Sequence, residues 1–148
     1  MRVFLSYASE QRPVAEQIAY GLRGEGHHVF FDRSDIAGGA DFHGEIRRAI
    51  ARCDLFVFLV SPESVSRGSY ALTEVRAAEE RWTHPLGRVL PVMAADTPIE
   101  AVPAFLRAVS ILAPEGDVPA EVIAAVDRIR RERVGRIGTP ARIGIRGG

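Results

Sequence analysis

Short apolar runs of strand character alternate with amphipathic helical stretches along almost the whole chain, and this order constrains the fold more than any other feature. The run 54–61, Asp-Leu-Phe-Val-Phe-Leu-Val-Ser, is almost continuously apolar, as expected of a strand covered on both faces. Segments 2–7 and 29–32 are β-branched or aromatic runs, and 88–94 and 108–113 are weaker strands of the same type. Helical patterns separate them. Pro13 suits the first turn of a helix in which Val14, Ile18 and Leu22 recur beside Ala15 and Ala19, and Gly24 and Gly26 supply its stop. Asp41 caps a second helix with Phe42, Ile46, Ala49, Ile50 and Cys53 on its inner face. Ser69 caps a third, with Leu72, Val75 and Trp82 pointing inward and Glu74 outward. Pro103 interrupts a short helix at 99–106, and 120–134 forms a last amphipathic one on Val122, Val126 and Ile129.

Strict β-α alternation predicts an α/β fold: a flavodoxin-like, doubly wound, five-stranded parallel sheet in the order 2-1-3-4-5. Such sheets bind ligands beyond the carboxyl ends of their strands, which here means segments 7–10, 33–42 and 61–69. One domain is expected over 1–133. Segment 134–148 has 5 Gly and Pro140 without sustained periodicity, and reads as a flexible basic tail or linker.

At 148 residues the chain can bury a core without staples, and the lone Cys53 permits no intramolecular disulfide. With no apolar run beyond 6 residues, neither a signal peptide nor a membrane span is expected, and the expected location is cytoplasmic. All 19 basic residues are Arg. That excludes a Walker-type phosphate Lys, a Schiff-base Lys and the Lys of a receiver domain. Net charge is zero, but residues 1–126 carry 12 Arg against 17 acids and residues 127–148 carry 7 Arg against 2. No aromatic side chains interleave with the tail arginines as a stacking surface for nucleic acid requires, so no nucleic-acid partner is expected. The four His and Cys53 lack metal-ligand spacing, so no metal site is expected, and Gly24-Glu25-Gly26 follows a helix rather than opening one, unlike a dinucleotide fingerprint.

Three segments remain: Phe4-Leu5-Ser6-Tyr7, the loop 32–41 with its consecutive Gly38 and Gly39, and Ser61-Pro62-Glu63-Ser64 followed by Gly68-Ser69-Tyr70-Ala71-Leu72-Thr73-Glu74. In this order and spacing they resemble a Toll/interleukin-1 receptor (TIR) domain of the bacterial type, over residues 2 to 133. Phe42 and Tyr70 stand where Trp is frequent in bacterial members.

The resemblance implies an NAD+ nucleosidase that cleaves the nicotinamide-ribose bond, with Glu74 as the catalytic carboxylate and nicotinamide plus ADP-ribose, or a cyclic ADP-ribose isomer, as products. NAD+ is then substrate, and no cofactor is needed. Chemistry agrees: nicotinamide leaves as a neutral base from a cationic nitrogen, so one carboxylate facing the developing oxocarbenium charge suffices. Tyr70 shares a helix face with Glu74 and fits either a core aromatic or a neighbour of the substrate ring; Phe42 is open to the same two readings. Tyr7 closes the first motif at the same edge. Ser9 either lines the pocket or caps the first helix, and Arg33 either meets the pyrophosphate or is solvated. The family also implies self-association with other TIR domains and, for a bacterial enzyme, a place in antiphage defence. The alternative is a non-enzymatic adaptor acting through homotypic TIR contacts, with Glu74 as a surface residue that pairs with Arg76 or Arg81 or with nothing.

Overall fold

The structure, a computed structural model, describes residues 1–31 and 38–138. The expected site residue Arg33 and the rest of segment 32–37, together with 139–148, lie outside the described residues. In chain order the elements are β1 (Arg2–Ser6), α1 (Arg12–Gly24), β2 (His28–Phe30), α2 (Phe42–Arg52), β3 (Leu55–Val60), α3 (Tyr70–Arg81), β4 (Val89–Met93), α4 (Ala104–Arg107) and α5 (Val118–Gly138), with single 3-10 turns at Ser9–Gln11 and Ile99–Ala101.

Among the described residues, four parallel strands form one sheet in the order β2-β1-β3-β4. Period-two alternation sorts its side chains into two cores. Val3, Leu5 and Tyr7 of the first strand segment and Leu55, Val57 and Leu59 of β3 pack under α1 and α5. Phe4, Phe56, Phe58 and Val60 face the opposite layer of α2, α3 and α4, where Phe4 stacks between Phe30 and Phe56 at centroid distances of 5.2 and 5.6 Å.

The expected fifth strand at 108–113 is reduced to one parallel bridge between Val92 and Leu112. Its two hydrogen bonds, Leu112 N to Pro91 O at 2.9 Å and Met93 N to Leu112 O at 2.8 Å, are the whole ladder. The next rung on one side needs an N–H from Pro91, and on the other side from Pro114; neither has one. Two prolines thus trim the strand to a single rung. At the other side of the sheet, the outward carbonyl of Val29 accepts a hydrogen bond from Arg23 Nη2 at 2.9 Å.

The helix signals read from sequence hold at α1 and α2. Pro13 lies in the first turn of α1, whose buried stripe is Ala15, Ile18, Ala19 and Leu22, and Asp41 caps α2 by accepting from Gly44 N at 3.2 Å. α5 runs from Val118 to Gly138, longer at both ends than the expected 120–134. Arg133 fastens it to the sheet, donating to the carbonyls of Asp54, at 2.7 Å, and Gly87. Among the described residues no helix is long and apolar enough to cross a membrane.

Candidate active site

Beyond the carboxyl ends of β1 and β3, the chain leaves an open cleft of about 440 Å³. Its walls are the turn after β1, with Tyr7, Ser9 and Glu10, and the segment from Glu63 into α3, including Arg67 and Tyr70. This is the edge at which open α/β sheets bind ligands, and the volume is within the range of small-molecule sites.

The second wall is braced by its own serines. Ser61 N donates to Ser64 Oγ at 2.9 Å and Ser64 N to Ser61 Oγ at 3.1 Å, both hydroxyls being buried. Ser66 Oγ donates to Pro62 O at 2.8 Å, Gly68 takes the left-handed φ of +85° that the turn requires, and Ser69 caps α3 by accepting from Ala71 N at 3.1 Å.

Glu74 sits one turn into α3, after Tyr70 and Ala71, which line the cleft. Its orientation differs from the expectation. The inward stripe of α3 is Ala71, Glu74, Val75 and Ala78, spaced i, i+3, i+4, i+7, while Leu72 is only half-buried and belongs to neither core. Leu72 and Glu74 do lie on opposite faces, but small alanines rather than the larger leucine mark the buried face. Glu74 is therefore 2% exposed, and its Oε1 accepts a hydrogen bond of 2.6 Å from Ser6 Oγ, itself fully buried at the end of β1. A short charge-assisted bond of this kind offsets part of the cost of burying a carboxylate. Arg81 does not pair with Glu74: it turns to the carbonyls of Ile50, at 2.7 Å, and Cys53, closing the end of α2.

Of the residues expected at the site, Tyr7, Ser9 and Tyr70 line one cleft; Glu74 is not among its lining residues but sits one turn along α3 from Tyr70, on the Ser6 hydroxyl at the end of β1. Tyr7 is buried, its ring tilted against Phe31 at 6.3 Å. Ser9 is exposed and caps no helix; its Oγ is 3.4 Å from Glu10 Oε1, and the turn it opens has no side-chain cap. Phe42 stands behind Tyr70, rings 5.7 Å apart, half-buried on the α2-α3 core. Sequence reading passed over Ser6, Arg67 and His43. Ser6 shares Phe4's strand face, the face that α3 covers, so alternation alone points it at that helix. Arg67 lies in the Ser-Arg-Gly turn before α3, and among the described residues it has no carboxylate partner. His43 Nδ1 is 2.9 Å from the Tyr70 hydroxyl.

A larger groove, about 740 Å³, runs along β2 and the end of α2 past Arg2, Arg23, Arg52 and Cys53. It contains one carboxylate, Glu45, already paired with Arg48 at 2.6 Å, so carboxylate chemistry has no free group there; its histidines are His27, held by Asp127 at 3.0 Å, and His28. The smaller cleft, at the carboxyl edge of the sheet and lined by the start of the helix that carries Glu74, is the better candidate for carboxylate chemistry. Among the described residues no group of three or more His, Cys, Asp or Glu side chains is placed to hold a metal ion.

The architecture is shared with known proteins. The chain superposes on the TIR domain of the Toll-related receptor TRR-2 from Hydra magnipapillata with a TM-score of 0.67 at 20% identity, covering 86% of this chain and 97% of that one. It matches the TIR domains of the activated Roq1 resistosome with a TM-score of 0.53 at 24% identity, over 62% of this chain and 55% of that one. It also matches the CMP N-glycosidase BcmB of Clostridium botulinum with a TM-score of 0.50 at 22% identity, over 86% and 99%. A search of curated proteins finds no match. The TIR domain family model matches residues 3–127, nearly the whole described fold, and the chain belongs to the TIR domain family.

Proposed function

We propose that this TIR domain is an NAD+ nucleosidase in which Glu74 is the catalytic carboxylate. The observation that carries the reading is a carboxylate held at 2.6 Å by a buried hydroxyl, on the helix whose first residues, Tyr70 and Ala71, line a ligand-sized cleft at the sheet's carboxyl edge. In the reaction the C1′–N bond breaks, and the bonding pair goes to nicotinamide, which leaves neutral. Positive charge develops at C1′ and the ring oxygen, opposite the Glu74 carboxylate. Water then adds to C1′ and loses a proton to give ADP-ribose, or an adenine nitrogen adds instead to give a cyclic isomer. Tyr7, Ser9 and Tyr70 shape the cleft, with Phe42 behind Tyr70, and we assign Arg67, which lines the same cleft, to the pyrophosphate. By analogy of fold, a CMP N-glycosidase cleaves an N-glycosidic bond on a related architecture.

The burial of Glu74 gives the proposal its regulatory half. A carboxylate that is 2% exposed must gain access to the sugar before it can act, and contacts with neighbouring copies supply that change by favouring the open state. The Roq1 resistosome, an activated assembly, contains TIR domains of this fold. A cytoplasmic location follows from the substrate, and depletion of NAD+ or release of a cyclic messenger suits a role in bacterial antiphage defence. The same burial favours the second reading, a non-enzymatic adaptor in which Glu74 is a structural residue paired with Ser6. Purified protein incubated with NAD+ over a range of protein concentrations, with nicotinamide, ADP-ribose and cyclic products resolved, separates them: nicotinamide release rising more steeply than protein concentration supports the enzyme, and none at any concentration supports the adaptor.

A further inference from the structure

Three rings meet at Tyr70, which lines the cleft. Tyr70, the first residue of α3, has its ring 5.7 Å from Phe42 and 5.6 Å from His43, and His43 stands edge-on to Phe42 at 5.6 Å. Phe42 is seated on the core, and Asp41 fixes the first turn of α2 in which His43 lies. The Tyr70 hydroxyl and His43 Nδ1 then close a bridge of 2.9 Å between the starts of two helices. A tyrosine at the rim of an open cleft keeps freedom about χ1 and χ2 unless its far end is held. Here His43 stacks on the ring with 29° between planes and meets its hydroxyl, Phe42 packs against it at 60°, and Tyr70 itself lines the cleft.

On the NAD+ reading above, we propose that His43 is a positioning residue: through the Tyr70 hydroxyl it holds the Tyr70 ring as a fixed wall for the planar, cationic nicotinamide end of the substrate. In the Nε2-protonated tautomer, Nδ1 accepts the hydrogen bond that the Tyr70 hydroxyl donates, which keeps the ring face electron-rich toward a cation. His43 acts through Tyr70 and not on the reacting atoms, so it contributes to binding in ground state and transition state alike. Its loss appears in KM and not in kcat.

The test is a mutant cycle on nicotinamide release by the full chain, with NAD+ affinity measured separately by calorimetry. His43→Ala raises KM roughly three- to tenfold, the range expected for one neutral hydrogen bond, with kcat within about twofold. Tyr70→Phe, which keeps the ring and removes the hydroxyl, does the same, and the double variant is no worse than the poorer single one. His43→Asn, whose Oδ1 can stand where Nδ1 does, restores KM to within about twofold. Equal loss in His43→Ala and His43→Asn, additive effects with Tyr70→Phe, or a fall in thermal midpoint with KM unmoved would overturn the proposal. If wild type binds NAD+ but releases no nicotinamide, the enzymatic reading fails while the His43 effect is still read in Kd. If it neither binds nor cleaves, both are overturned.

Discussion

Ser6 and Glu74, 68 residues apart, meet through a 2.6 Å hydrogen bond that ties the end of the first strand to the helix after the third. The carboxylate is thereby fixed against the sheet instead of in solvent, and its substitution tests catalysis and structure at once.

Glu74→Gln keeps an oxygen able to accept from Ser6 and removes the charge. A stability loss of about 1 kcal/mol and a fall in nicotinamide release of roughly a hundredfold or more are expected. Glu79→Gln and Glu80→Gln, on the exposed side of α3, leave both within error. Thermal unfolding and product chromatography on the three variants check this. Activity of Glu74→Gln within threefold of wild type would refute the catalytic role.

Ser6→Ala leaves the Glu74 carboxylate without this donor. Unfolding by denaturant should show a loss of about 1–3 kcal/mol, from a hydroxyl too small to matter by volume. A loss under about 0.5 kcal/mol would mean the bond is not retained in solution.

Arg67→Ala should raise KM for NAD+ about tenfold while leaving KM for nicotinamide riboside, which has no pyrophosphate, unchanged. Equal changes for both substrates would count against a phosphate contact.

His27 Nε2 lies 3.0 Å from Asp127 Oδ1 and links the start of β2 to α5. Burial acts to raise the Asp127 carboxyl, but side-chain hydrogen bonding with His27 and Glu25 and the charge of Arg130 outweigh it and hold the group below its ordinary value of 3.8. A depressed carboxyl stabilises the fold above that ordinary value, and the contribution disappears as pH falls through the lower folded-state value. Wild type should therefore exceed Asp127→Asn in stability at pH 6, and the gap should close below pH about 3.8. Parallel stability curves across acid pH would disprove the linkage.

The Cys53 thiol is pushed up to about 11, chiefly by burial, with Arg81 opposing. At pH 8 the thiolate fraction is then about a hundredfold below that of an ordinary thiol, and alkylation by iodoacetamide should be slower than in urea by at least that factor. Similar rates in native and unfolded protein would contradict the burial.

The layering was legible in sequence because continuous apolar runs and helix signals such as Pro13, Asp41 and Ser69 act locally. The fifth strand was not, since its failure depends on Pro91 and Pro114 meeting at one register across two segments. At the site, Tyr7, Ser9, Tyr70 and Glu74 were reached through motif order, yet Glu74 was pointed outward. Helical periodicity gives angles but not the origin, and the stripe facing the sheet is marked by Ala71 and Ala78, residues with weak apolar signal. His43 was invisible for a similar reason: its partner Tyr70 lies 27 residues away, and only the packing of α2 on α3 brings them together.

The prolines at β4 and the guanidinium on Val29 also govern how copies of this domain can join. A sheet grows by offering bare N–H and C=O groups to a newcomer, and Pro91 has no donor to offer while the Val29 carbonyl is already occupied by Arg23. Strand-by-strand extension, the route to fibres that do not come apart, is thus discouraged on both flanks. Copies that gather must do so through helix faces and loops, in contacts that can form on a signal and be released afterwards.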